Sequence, residues 1–78
     1  MTKWMTVNLG SVEGAKKFVA KIKNLDCEFD MVFGRDALDA KIFDNLVGLD
    51  VTQTQRINLY GPTSELQRAE MELAEFQI

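Results

Sequence analysis

The sequence predicts an α+β domain in which a four-stranded antiparallel sheet carries three helices on one face, an open-faced two-layer sandwich. Four short segments alternate apolar and polar residues, three others repeat apolar residues at helical spacing, and together they follow the order β-α-β-β-α-β-α. Alternation gives a strand one apolar face and helical spacing gives a helix one apolar stripe, so each layer must cover the other. With 78 residues and no linker-like stretch, residues 1–78 are expected to form a single domain.

The first half of the chain is predicted to contain a strand, a helix and a hairpin. Residues 5–9 alternate as a half-buried strand, and Ser11 is the expected N-cap of a helix that runs over residues 11–25. Residues 27–33 alternate in the same way. A glycine-containing turn then leads to residues 37–41, which are short enough to be the return strand of a hairpin.

The second half is predicted to add a short helix, a strand and a long helix. Residues 42–49 fit two helical turns, and Ile57 and Leu59 mark the fourth strand. Ser64 with Gln67 three residues later has the pattern of a capping box, which predicts the start of the last helix. The inward stripe of that helix is expected to be Leu66, Ala69, Leu73 and Phe76.

The charge balance limits the class of partner. Nine basic and twelve acidic residues give a net charge of −3, which disfavours nucleic acid. No apolar run approaches the roughly 20 residues of a membrane span, so a cytoplasmic protein without a membrane partner is expected. Four lysines crowd the first helix and form either a solvated face or a basic docking face for an acidic protein: Lys16, Lys17, Lys21 and Lys23.

The residue types needed for catalysis are sparse. The chain has no histidine and one cysteine, Cys27, which is expected to be a small core residue rather than a nucleophile. We therefore predict no enzymatic activity, no metal site and no cofactor. Trp4 lies on the outward register of the first strand, where a partly buried structural role is expected. Four acidic residues of the hairpin have no companion acid–base group: Glu28, Asp30, Asp36 and Asp39.

Several features together resemble the histidine-containing phosphocarrier family of the bacterial sugar phosphotransferase system. The order of elements is similar, and the first helix contains a Phe18-Val19 pair like that of the family. The segment Asp39-Ala40-Lys41 precedes the short helix at the family's spacing, and an amphipathic helix ends the chain. The resemblance covers nearly the whole chain and implies the family's fold.

The same comparison implies that both phosphorylation sites of the family are missing. The family signature is Gly-Leu-His-Thr-Arg-Pro-Ala, and an ungapped count places Ser11 at the histidine, Glu13 at the arginine and Gly14 at the proline. A serine ester is a poorer phosphoryl donor than a histidine phosphoramidate, and Glu13 would repel the group that the arginine stabilises. Ile42 occupies the position of the regulatory serine. The resemblance thus implies a scaffold that does not carry phosphate.

What the resemblance leaves is a surface for protein partners. In the family, apolar residues of the short helix and the start of the first helix dock onto enzymes and regulators. Phe43 and Val47 match such positions, Lys16 and Lys17 lie on the first helix, and Asp44 replaces an apolar residue. The expected function is a regulatory or protein-binding module with a cytoplasmic protein partner, and the resemblance suggests a component of the phosphotransferase system as that partner. Phe43 and Val47 could equally serve only to pack the short helix.

A second class of function stays open at this point. A small-ligand-binding regulatory domain of ferredoxin-like fold (the ACT type) shares the order strand, helix, strand, strand, helix, strand. The short second helix and the helix after the last strand both argue against it. An enzyme is the least supported class, because the chain lacks a histidine and a glycine-rich phosphate loop.

Overall fold

A computed structural model describes residues 1–33, 35–48 and 50–78, without the side chains of Phe33 and Val47. The strands and helices occur in the order β-α-β-β-α-β-α. Their bounds are β1 Thr2–Asn8, α1 Val12–Ile22, β2 Glu28–Phe33, β3 Asp36–Asp39, α2 Asp44–Val47, β4 Thr54–Tyr60 and α3 Thr63–Glu72, followed by a 3₁₀ turn at Ala74–Phe76. No helix in these ranges is long and apolar enough to cross a membrane.

The four strands form one antiparallel sheet in the spatial order β1-β4-β2-β3. β4 and β2 are therefore central, while β1 and β3 are the edges. The register aligns Met5 with Ile57 and Ile57 with Met31, and all three are buried. Because side chains alternate along a strand, the neighbouring row of Trp4, Asn58 and Asp30 points to the opposite face.

One face of this sheet packs on the helices. The core is a single cluster that joins the inward residues of the strands with buried residues of α1, α2 and α3. The α+β class and the four-stranded antiparallel sheet are as predicted, and the arrangement is compatible with a two-layer sandwich. The helices and the C-terminal segment contribute Ala15, Phe18, Val19, Ile22, Leu46, Leu66, Ala69, Leu73 and Phe76 to the cluster.

The short helix differs from its prediction over residues 42–49. α2 contains four residues, Asp44–Val47, and Ile42 lies in the turn before it. Asp39 organises this turn, because its backbone oxygen accepts bonds from the Ile42 N–H and from the side-chain amide of Asn45. A helix that began at Ile42 would need the Leu46 N–H to donate to the Ile42 oxygen, but it donates to the Phe43 oxygen, and the Ile42 oxygen accepts from Asn45 instead. Leu49, the predicted end, lies outside the described residues.

The predicted capping box at the start of the last helix is wrong. Pro62 is the N-cap, its backbone is extended, and α3 begins at Thr63. Ser64 is then the second helical residue and cannot cap the helix that already contains it. Proline suits an abrupt helix start because it lacks the N–H that would otherwise be unpaired there.

Both long helices are shorter than predicted, yet their apolar residues stay buried. α1 ends at Ile22, and Leu25 reaches the core from the turn that follows. α3 ends at Glu72, and Phe76 belongs to the 3₁₀ turn. The backbone N–H of Ile78 then donates to the oxygen of Thr6, so the tail is held at the edge of β1.

Candidate functional site

The junction between β1 and α1 is a capped helix start. Ser11 is the N-cap as predicted, and its Oγ accepts a hydrogen bond from the Gly14 N–H at 3.0 Å. This bond satisfies one of the backbone donors that a helix leaves unpaired in its first turn. Glu13 is exposed, and one of its carboxylate oxygens lies 3.9 Å from Lys16 Nζ. The Ser11 hydroxyl therefore has a structural role at the start of α1.

Gly14 is required at this junction by close contact with the preceding strand. A Cβ at Gly14 would overlap the backbone carbonyl oxygen of Leu9. The backbone at this junction is thus adapted to glycine, because any residue with a Cβ would meet the same oxygen.

Phe43 and Lys16 lie at one shallow groove between α1 and the turn before α2. Phe43 is half-buried against the core, and the aliphatic floor of the groove includes Val19. Lys16 and Lys23 stand at its rim, so an apolar centre is bordered by cations. Ile42, next to Phe43, is 51% exposed. The side chain of Val47, the remaining predicted contact, is outside the described part of the chain.

Lys17 lies elsewhere, in the groove between α1 and α3. Its Nζ is 3.4 Å from a carboxylate oxygen of Glu75, whose other oxygen is 2.5 Å from Lys21 Nζ. Lys21 also donates to the backbone oxygen of Glu72 at 3.2 Å. Two of the four lysines therefore hold the C-terminal segment against α1, and the predicted basic face is divided between two grooves.

Because of the lysine pair, the contribution of Glu75 to stability is expected to depend on pH. The hydrogen bond from Lys21, supported by Lys17, lowers the pKa of the Glu75 carboxyl. Its stabilising effect is therefore complete above the ordinary glutamate pKa of about 4.3 and is lost as the pH falls through the lower pKa of the folded state. We expect Glu75→Gln to reduce the free energy of unfolding at pH 7, with the difference from wild type shrinking below about pH 4.

The matched control is Glu72→Gln, because Lys21 contacts the backbone oxygen of Glu72 and not its carboxylate. Urea denaturation of wild type and both variants at pH 7 and pH 3 measures the effect. A Glu75→Gln deficit that is the same at both pH values would contradict the assignment.

Other reactive groups are not arranged as a catalytic centre. Cys27 is buried as predicted, and this burial raises the pKa of its thiol. Among residues 1–33, 35–48 and 50–78, no group of three acidic, cysteine or histidine residues could hold a metal ion. The lining of the groove at Phe43 can bind an apolar side chain with nearby negative charge, but it supplies no acid–base pair.

Sequence reasoning missed one surface feature, on the side of the sheet away from the helices. Trp4 is 51% exposed, and the guanidinium of Arg56 lies 4.6 Å from the centre of its ring. The alternation of β1 and β4 placed both residues on the outward register. Their direct contact depends on the pairing register, which the sequence does not specify.

Comparison with known proteins finds no matching family model and no curated protein with a matching sequence.

Proposed function

We propose that this chain is a protein-binding or regulatory module of the phosphocarrier type that recognises a cytoplasmic protein without carrying a phosphoryl group. The partner we expect is a component of the bacterial phosphotransferase system. The proposal has two parts. The first is a fold that resembles the phosphocarrier family, and the second is a first helix whose start lacks the residues for phosphoryl transfer.

The order β-α-β-β-α-β-α and the one-turn second helix support the first part, the resemblance in fold. A long amphipathic helix also follows the last strand, as the resemblance implies. These features give less support to a ferredoxin-like regulatory domain, which has a second helix of full length and needs no helix after its fourth strand.

The start of α1 supports the second part, the absence of phosphoryl transfer, and is the observation on which the proposal most depends. Ser11 Oγ is engaged with the Gly14 N–H, and Glu13 brings negative charge to the first turn. A phosphoryl group there would be repelled by the carboxylate instead of being stabilised by a guanidinium. Ile42 has no hydroxyl for a kinase to modify.

The groove at Phe43 is the recognition surface that we propose. An apolar centre with a charged rim is typical of protein interfaces, in which a few buried anchors provide most of the binding energy. Lys16 and Lys23 at the rim favour a partner with carboxylates beside an apolar side chain. Lys17 is not part of this surface, because it pairs with Glu75.

Phosphoryl transfer is tested by incubation with phosphoenolpyruvate and the purified general enzyme of the phosphotransferase system. We expect no phosphate on this chain by mass spectrometry at neutral pH, while a histidine-bearing phosphocarrier in the same tube is labelled. Acid-labile phosphate on this chain would refute the non-carrier part of the proposal.

Recognition is tested by calorimetric titration with the same general enzyme. We expect Phe43→Ala to weaken binding by at least about fivefold, the effect of losing an anchor worth about 1 kcal/mol. Because Phe43 also packs on the core, Lys16→Glu with Lys23→Glu provides a second variant that leaves the core intact. The matched controls are Met71→Ala, which removes an exposed apolar residue, and Arg68→Glu, which changes a charge at the other groove.

Equal affinity of both groove variants and of the controls would show that this groove is not the contact. Absence of binding to the enzyme by the folded wild-type chain would contradict the proposed partner.

A further inference from the structure

The sheet face opposite the helices is exposed and has an uneven distribution of chemical groups. Three rows of side chains cross it in register, and each row has hydrogen-bond donors toward β1 and β4 and acidic or apolar groups toward β2 and β3. The rows are Thr2, Tyr60 and Glu28; Trp4, Asn58, Asp30 and Asp39; and Thr6, Arg56, Val32 and Ala37.

The β1 and β4 half of this face is the donor half, formed by Trp4, Arg56 and Tyr60. The guanidinium of Arg56 stacks on the indole of Trp4 at 4.6 Å, which restricts a flexible cation before any partner binds. The hydroxyl of Tyr60 accepts a bond from the Asn58 amide at 3.0 Å and keeps its own proton available for donation. The indole N–H is a third donor.

The β2 and β3 half is the acceptor half, formed by Glu28, Asp30 and Asp39. Asp30 and Asp39 are directly opposite each other on adjacent strands, an arrangement in which like charges destabilise a sheet. In the described ranges, no ion pair involves these three carboxylates or Arg56. Among the described residues, the Asp30 and Asp39 carboxylates therefore lie side by side without an ion-pair partner, next to the preorganised Arg56, and the Asp39 carboxylate accepts only a backbone bond from the Lys41 N–H at 2.9 Å.

We propose that the open sheet face binds a second copy of this chain, with the donor half of each copy over the acceptor half of the other. A twofold axis parallel to the strands, between β4 and β2, places β1 over β3 and β4 over β2. Trp4 then faces Asp39 of the second copy, and Tyr60 faces Glu28. Arg56 faces the row next to that of Asp30 of the second copy. The two rows are about 7 Å apart along the strand, a distance that an arginine side chain can span.

The size of the face predicts a weak dimer. The strands contain seven, six, four and seven residues, which at about 3.4 Å per residue and about 4.8 Å between strands present about 400 Å² per copy, below the 800 Å² or so of a standard interface. Both copies also have a net charge of −3. At about 0.15 M salt the Debye length is about 8 Å, so this overall repulsion is screened while charges in direct contact still attract. We expect dissociation in the range of tens to hundreds of micromolar.

Sedimentation equilibrium from about 5 µM to 1 mM, at 0.15 M salt, tests the proposal. The mass should rise from 8.8 kDa toward twice that value. Trp4 is the single tryptophan, so its fluorescence reports the same face directly. Its emission should shift to shorter wavelength as the dimer forms, and acrylamide should quench it less.

Charge exchange distinguishes this interface from any other. Arg56→Asp and Asp30→Arg each place like charges together twice in a homodimer, so each should weaken association by roughly tenfold or more. A mixture of the two variants forms one exchanged pair and one native pair and should recover wild-type association. Arg68→Asp makes the same charge change on α3, away from the sheet face, and should have no effect.

Three results would overturn the proposal. The first is a mass of 8.8 kDa and constant Trp4 emission up to about 1 mM. The second is a dimer that Arg56→Asp and Asp30→Arg leave unchanged, because it must use another surface. The third is a mixture of these variants that associates no better than either variant alone.

A different protein could also be the occupant of this face. If Trp4 emission shifts only when a different protein is added, the face binds that protein and the proposal is wrong. This inference concerns the side of the sheet away from the groove at Phe43 and is independent of the proposed function.

Discussion

Replacement of Gly14 by alanine is expected to lower the free energy of unfolding by roughly 3 kcal/mol, the upper range for overpacking a closed site. The added Cβ would overlap the carbonyl oxygen of Leu9, which is backbone and cannot rotate away. Relief requires α1 to move from the end of β1, and this movement would disturb the Ser11 cap. A chain of 78 residues has a stability of roughly 4–12 kcal/mol, so the loss is a large part of the total.

Gly48→Ala is the matched control for this change. A Cβ at Gly48 would meet nothing within 4 Å, and the residue already has a right-handed helical backbone with φ −82°. Alanine there is expected to be neutral or to stabilise by about 0.5 kcal/mol, because it reduces the conformational entropy of the unfolded chain. Urea denaturation, monitored by circular dichroism, compares the free energies of unfolding of the two variants. Equal stability of Gly14→Ala and wild type would show that the junction is looser than described.

Phe18→Ala is expected to cost about 3–5 kcal/mol, the usual loss for a buried aromatic residue in a core. Phe18 is completely buried, and its ring meets the ring of Phe76 edge to face with centroids 5.4 Å apart. The substitution would leave a cavity between α1 and the C-terminal segment. The 3₁₀ turn that contains Phe76 should then lose its main apolar contact with α1.

Two further variants identify the cause of that loss. Met71→Ala removes an apolar residue that is 79% exposed and should change stability by less than about 0.5 kcal/mol. A double-mutant cycle with Phe76→Ala should give a coupling of about 0.5–1.5 kcal/mol for the ring pair. Additive effects of the two substitutions would mean that the rings do not interact directly.

The fold was predictable to the extent that local patterns report burial. Alternation in β2 and β4 and helical spacing in α1 identified which residues face the core, because side-chain direction follows from backbone geometry. Bounds were less predictable, because competing hydrogen bonds decide them. The Ile42 oxygen accepts from Asn45, three residues later, so α2 begins after it, and α3 begins at Thr63, directly after Pro62 and one residue before Ser64.

The candidate site was only partly predictable for a related reason. Lys16 and Lys17 are adjacent in sequence, but neighbouring helical residues point about 100° apart. One therefore reaches the groove at Phe43, and the other reaches Glu75. The sequence showed that both were on the polar face of α1, and the packing of the surrounding segments decided which of the two grooves each lysine reaches.

From the sequence alone follow the α+β class, the buried faces, the Ser11 cap and the absence of a histidine, because each depends on residue types and their local spacing. Tertiary structure decided the strand order, the glycine required beside Leu9, the Glu75 bridge to α1 and the contact of Arg56 with Trp4. Apart from the contact of Gly14 with Leu9, which depends on the angle between β1 and α1, these features join residues far apart in the chain. Their distances are set by how the sheet and the helices pack together, and no local pattern contains that information.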